Sequence, residues 1–132
     1  MVKGHYSNNP FYNFNISQYI DEDSIRSSII LYGAENTGTL PHSHVAAYNF
    51  LLSGKKLWFI CNKEDFDREL LEYFLENGTS EYSIFDFFNR AEVKEKTFIQ
   101  SPGDIVFVEK DYIHAVLNLD DSVCYIAQVG GE

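Results

Sequence analysis

The sequence predicts a mainly β domain, a barrel or sandwich of short strands with a short helical insertion. Three observations predict it. Runs of β-branched, apolar and aromatic residues recur at roughly eight-to-twelve-residue spacing. Turn signals separate them, among them Ser53-Gly54-Lys55, Ser101-Pro102-Gly103-Asp104 and Asp120-Asp121. Between the two β halves, residues 62–90 change to a helical apolar period. The 132 residues fit one domain, 1–132. Hydrophobic residues at 45% and charged residues at 23% argue against disorder.

Residues 1–25 form a polar, turn-rich N-terminal arm with Asn8-Asn9-Pro10 and the acidic run Asp21-Glu22-Asp23. Phe11, Tyr12 and Phe14 are expected to pack part of it on the core. Ser28–Tyr32 reads as a strand ended by Gly33, and 34–38 as a loop. Residues 39–52 carry strand-forming residues again, and a hairpin leads into Leu57–Cys61. Asn62 can cap a helix, and Glu64, Asp65 and Asp67 favour its first turns. Phe66, Leu70 and Phe74, with Leu71 and Tyr73, give it one apolar stripe, and Asn77-Gly78 ends it. A second short helix over about residues 81–89 turns Ile84, Phe85 and Phe88 inward. Strands return at 97–100, 105–108, 112–119 and 123–129. Trp58, Phe59 and Phe107 read as core, and Tyr48 and Tyr112 as barrel wall.

Ten Lys and Arg stand against twenty Asp and Glu, a formal net charge of −10. That excess repels phosphate backbones, so nucleic acid is not an expected partner. A basic peptide or protein, or a small ligand, fits better. The N-terminal residues lack the apolar core of a secretory signal. No stretch approaches the ~18 apolar residues of a membrane span, so no membrane is expected. Cys61 and Cys124, both in apolar strand-like runs, read as buried free thiols. The expected setting is intracellular, in cytoplasm or nucleus.

The chemistry begins at His42-Ser43-His44. In a strand, positions 42 and 44 point the same way, and two imidazoles side by side suit a divalent metal. Taken alone, the pair fits two hydrogen-bonded or solvent-facing histidines better than a metal site. Gly103, then a turn at Glu109-Lys110-Asp111, then His114 and Asn118 follow at the intervals of the second cupin motif. The first motif is present in part, with Asn49 where a ligating Glu stands and Gly54 closing the hairpin. Together His42, His44 and His114 read as one metal site.

The chain resembles the Jumonji C branch of the cupin superfamily, most closely its arginine-demethylase and lysyl-hydroxylase group. Two segments carry the likeness, residues 29–58 and 100–119, together 50 of the 132 residues. The resemblance implies a double-stranded β-helix, the cupin or jelly-roll barrel. It implies an Fe(II)- and 2-oxoglutarate-dependent oxygenase, other divalent metals being alternatives to iron, that hydroxylates or demethylates a protein or peptide side chain. His42 and His114 match the family's two histidine ligands, and Thr39 its cosubstrate-touching hydroxyl. Asn49 matches a pocket asparagine. Lys56 matches the lysine that pairs with the far carboxylate of 2-oxoglutarate, since a buried dianion needs a cation. Read without the resemblance, Lys56 is equally a solvated lysine at a hairpin.

Two departures accompany the likeness. His44 occupies the position of the carboxylate ligand, which raises the net charge at the metal by one. Ile126 stands where a hydroxyl residue helps hold the cosubstrate, with Gln128 at a polar pocket position. Two other readings follow from these departures. One is a three-His metal dioxygenase acting on a small molecule without 2-oxoglutarate. The other is a non-catalytic binding module of the same fold. A homodimer is a further expected arrangement.

Overall fold

The computed structural model describes residues 20–77 and 83–130. Phe11, Tyr12 and Phe14 of the N-terminal arm lie outside them, as does Gly78. The described residues form eight strands: β1 (Ile25–Gly33), β2 (Gly38–His42), β3 (Ala47–Ser53), β4 (Lys56–Cys61), β5 (Thr97–Gln100), β6 (Ile105–Val108), β7 (Ile113–Asn118) and β8 (Ser122–Val129). They form two four-stranded antiparallel sheets, ordered β1-β8-β3-β6 and β2-β7-β4-β5. This is the mainly β, two-sheet barrel that the strand spacing predicts. The expected stretch 39–52 is two strands, parted at residues 43–46. Gly54 turns β3 into β4 at φ +97°, a conformation that a side chain resists.

Strand parity divides the core. Even-numbered Trp58 on β4 and Val116 on β7 meet Val106 and Val108 of β6 between the sheets. Odd-numbered Phe59, Cys61, Ile113, Ala115 and Leu117 point out the other side and pack under the helical insertion. β7 is therefore buried along its whole length. A one-residue slip of β4 or β7 would exchange the two faces, so the register is strongly specified.

The insertion runs from Asn62 to Lys96, beyond the expected end at residue 90, because a third helix follows. Its helices are α1 (Arg68–Asn77), α2 (Ile84–Phe88) and α3 (Ala91–Lys94), after a 3-10 turn at Lys63–Asp65. Asn62 caps that turn by accepting from Glu64 N at 2.9 Å. Phe66 is extended, so the helix expected from Asn62 breaks there. Asp67 starts α1 instead, accepting from Leu70 N at 3.1 Å. Ser83 caps α2. Phe87 is the buried ring of α2 at 0% exposure, whereas Phe85, expected inward, is 51% exposed. Phe107, expected in the core, is exposed on β6 and packs on Tyr48 at 4.7 Å between centroids. Cys61 and Cys124 are buried free thiols, as expected. Among the described residues no helix is long and apolar enough to cross a membrane.

Candidate metal centre

The three histidines meet inside the barrel mouth. His42 and His114 sit directly opposite each other on β2 and β7. Simple alternation would place Thr39 and His42 on opposite faces of β2. The pairing instead runs Thr39 to Val116 and His42 to His114, three residues on β2 against two on β7. The extra residue is a bulge beside Pro41, which has no N–H to give the ladder. The bulge turns Thr39 and His42 toward the same cavity. His44 lies past the end of β2, in the connection at residues 43–46, so its approach owes nothing to strand alternation. Its ring centroid is 5.4 Å from His42 and 4.7 Å from His114, and those two are 4.2 Å apart.

Each ring is oriented through Nδ1. His42 Nδ1 lies 2.8 Å from Leu40 O, His44 Nδ1 2.7 Å from Val45 O, and His114 Nδ1 3.4 Å from Tyr112 O. A carbonyl only accepts, so Nδ1 carries the proton in each bond. In a neutral ring that tautomer leaves the lone pair on Nε2. One ring nitrogen from each histidine lies within 4.8 Å of the other two, a grouping that could hold one metal ion. Three oriented imidazoles suit iron, zinc, copper or nickel. Burial, together with His42 and His44, holds the His114 imidazole down at about 3. Burial also lowers His42, against the Leu40 carbonyl, with His44 adding to the fall. Both rings are thus neutral at pH 7, the form a metal needs. The indole of Trp58 lies over His114, 6.0 Å between centroids, and its Nε1 donates to Gln100 Oε1 at 2.8 Å.

The cavity holds about 290 Å3 and opens between the two sheets. Its walls include Thr39, the three histidines, Asn49, Lys56, Trp58, Asn118 and Ile126. Lys56 is only 4% exposed. Its Nζ donates to Asn118 Oδ1 at 2.7 Å, and Asn118 Nδ2 donates to Thr37 Oγ1 at 3.3 Å. Among the described residues no carboxylate lies within ion-pair distance of Lys56. Burial lowers its pKa, and the neighbouring Cys124 raises it. The solvated hairpin lysine is therefore the wrong reading: this cation is buried in a cavity with two further donors to give. Asn49 Nδ2 faces Cys124 Sγ at 3.7 Å, and Gln100 Nε2 donates to the Asn49 carbonyl at 3.0 Å.

Sequence reasoning thus named six residues that the fold brings together around one cavity, Thr39, His42, His44, Asn49, Lys56 and His114, with Ile126 in the same wall. Gln128 is placed elsewhere. It lies on β8 outside the cavity wall and accepts from Ser27 Oγ at 3.0 Å. Asn118, Thr37 and Trp58 were missed as members of the site. Asn118 had a signal, since its even parity with His114 places both on one face of β7.

No protein-family model matches the sequence. No curated protein matches it either. Solved structures do match. YcfD, a ribosomal oxygenase from Escherichia coli solved with cobalt and succinic acid, aligns at TM-score 0.56 and 15% identity, over 83% of this chain and 24% of that one. DMSP lyase DddQ from Ruegeria pomeroyi DSS-3 aligns at 0.51 and 16%, over 82% and 39%. The conserved SPY1581 protein of unknown function from Streptococcus pyogenes aligns at 0.51 and 13%, over 80% and 64%. The fold is a cupin barrel. At these identities the likeness is one of fold, and the chain spans less than two thirds of the length of each of the three. The cupin neighbours include an oxygenase and a lyase.

Proposed function

We propose that this cupin is an Fe(II)- and 2-oxoglutarate-dependent oxygenase of the Jumonji C type, acting on a protein or peptide side chain in an intracellular setting. One observation carries the reading. A single cavity joins three imidazoles to a buried lysine that has no carboxylate partner among the described residues. His42, His44 and His114 would hold the metal through Nε2. Bound iron supplies the oxygen-activating redox chemistry. Lys56 offers its ammonium to the far carboxylate of the cosubstrate, and Asn118 keeps that ammonium in place. Thr39 and Asn49 line the same cavity and offer polar groups along its length. Three neutral ligands leave an ion its full charge, and Lys56 adds one more, so the cavity favours a dianion. The succinic acid in the Escherichia coli oxygenase is a dianion of this class.

A second reading is favoured by Ile126, an apolar wall residue where a hydroxyl would steady 2-oxoglutarate. There the three-His centre acts on a small acid directly, without a cosubstrate. Calorimetry on iron-loaded protein under anaerobic conditions separates the two. The proposal expects 2-oxoglutarate to bind, Lys56→Ala to bind it at least about tenfold more weakly, and succinate to form on admission of oxygen with a substrate peptide. Equal 2-oxoglutarate affinity in wild type and Lys56→Ala, or oxygen uptake driven by a thiol or diketone alone, contradicts it.

A further inference from the structure

The free edge of β1 stands apart from the cavity chemistry. Among the described residues β1 pairs with β8 on one side only. Every second backbone N–H and C=O along its other side lacks a strand partner among the described residues. Ile29 is 56% exposed, Ile30 53%, Leu31 41% and Tyr32 63%. Opposite pleats are therefore both apolar and both open. Exposed edges are commonly guarded by lysine, proline or a bulge. Residues 28–33 contain neither lysine nor proline, and the one bulge lies between Ile25 and Ser27.

Charge marks the two ends of this edge. Asp21 and Asp23 precede β1 and are exposed. Glu35 follows it, and its backbone N–H donates to Asp121 Oδ1 at 2.9 Å, which brings Asp121 to the same end. Asp120 adjoins it, and Arg26 is the one basic residue on the strand. Nine residues of strand set these acidic ends about 30 Å apart. A second copy pairing antiparallel would set the acidic start of one β1 against the acidic end of the other, which repels. A chain with basic ends is attracted at both.

We propose that the free edge of β1 binds an extended peptide with an apolar, β-branched centre and basic residues at both ends, as an added strand of the sheet. Backbone bonds supply register, the apolar side chains cover Ile30 and Tyr32, and the basic ends meet the acidic clusters. Leu31, Tyr32 and Gly33 also line the cavity, so a peptide on this edge lies along its wall. The inference deepens the oxygenase reading by naming where its peptide docks, but docking is measured without turnover, so each can fail alone.

The test is fluorescence anisotropy on the full chain with a labelled Lys-Lys-Val-Thr-Val-Thr-Val-Lys-Lys peptide and an acid-ended control. The basic-ended peptide is expected to bind at least tenfold tighter, and 0.5 M salt is expected to remove most of that difference. Glu35→Lys and Ile30→Lys are each expected to weaken binding at least tenfold, with circular dichroism confirming that both variants fold. A peptide with proline at alternate positions, which lacks the N–H groups, is expected not to bind. No binding by the full chain, as when its own N-terminal residues fill the edge, overturns the proposal. So does equal binding of the acid-ended peptide, or a dimer of the protein that Ile30→Lys abolishes.

Discussion

His42, His44 and His114 share one constraint, a backbone carbonyl on Nδ1 that leaves Nε2 free. Each is therefore expected to matter to metal binding. A single change to alanine is expected to weaken Co(II) affinity at least about a hundredfold, read from the visible absorption of the cobalt-loaded protein. Unchanged affinity in His44→Ala would mean that the residue past the end of β2 is no ligand. His114 also sets a pH dependence. Its folded pKa, about 3, lies below the ~6.5 of an unfolded histidine. The unfolded chain then takes up the proton first. Stability from this group is full above about pH 6.5 and falls as pH drops toward 3, by at most about 1.4 kcal/mol per unit. Metal-free protein should lose more Tm between pH 7.5 and 5.5 than His114→Gln does, and equal losses would contradict the assignment. Residue identity carried much of this site into view. The spacing of His114 and the basic Lys56 were readable before any fold was known, whereas the Lys56–Asn118 bond was not. Those residues are 62 apart in sequence and meet only through the register of β4 and β7.

At the scale of elements, the helical insertion roofs the outer face of the β2-β7-β4-β5 sheet through Phe87. Phe87 contacts the rings of Phe59 and Phe88, 5.2 and 5.3 Å between centroids. Phe87→Ala is expected to cost about 3–5 kcal/mol in denaturant unfolding, and Phe85→Ala no more than about 0.5 kcal/mol. The reverse order would mean that α2 packs with its other face inward. Strands β4 and β7 were legible because each is a short, mostly apolar run bounded by turn signals. The break at Phe66, the inward face of α2 and the bulge beside Pro41 were not. Phe66 fits a helical stripe equally well whether or not its backbone is extended. Four aromatic or branched residues in the five of α2 leave no polar face to orient it. A bulge changes parity without changing composition, so Thr39 and His42 read as facing apart until their partners on β7 are known.

The whole molecule places one positive cavity inside a strongly acidic chain. The net charge of −10 does not reach into the cavity wall, where among the described residues no Asp or Glu stands and Lys56 does. Acidic residues gather instead at the ends of β1 and in the insertion, where Asp67 and Glu92 both pair with Arg90. Under the proposed function, an anionic small molecule is expected in the cavity and a basic chain along the edge of β1. Glycine contacts enforce the cavity's shape: a Cβ on Gly33 would run into the Asn118 amide. Gly33→Ala is accordingly expected to move Asn118, loosen Lys56, and weaken 2-oxoglutarate binding by about tenfold while leaving Co(II) affinity within about twofold. The central claim is that one cavity holds a metal on three imidazoles and a carboxylate on Lys56. A crystal structure of the cobalt-loaded protein with 2-oxoglutarate tests it most directly. Nε2 of His42, His44 and His114 are expected at ~2.0–2.2 Å from a single ion, with a ligand carboxylate accepting from Lys56 Nζ. A metal that engages fewer than three of these rings, or a Lys56 bonded to Asn118 alone with ligand present, would contradict it.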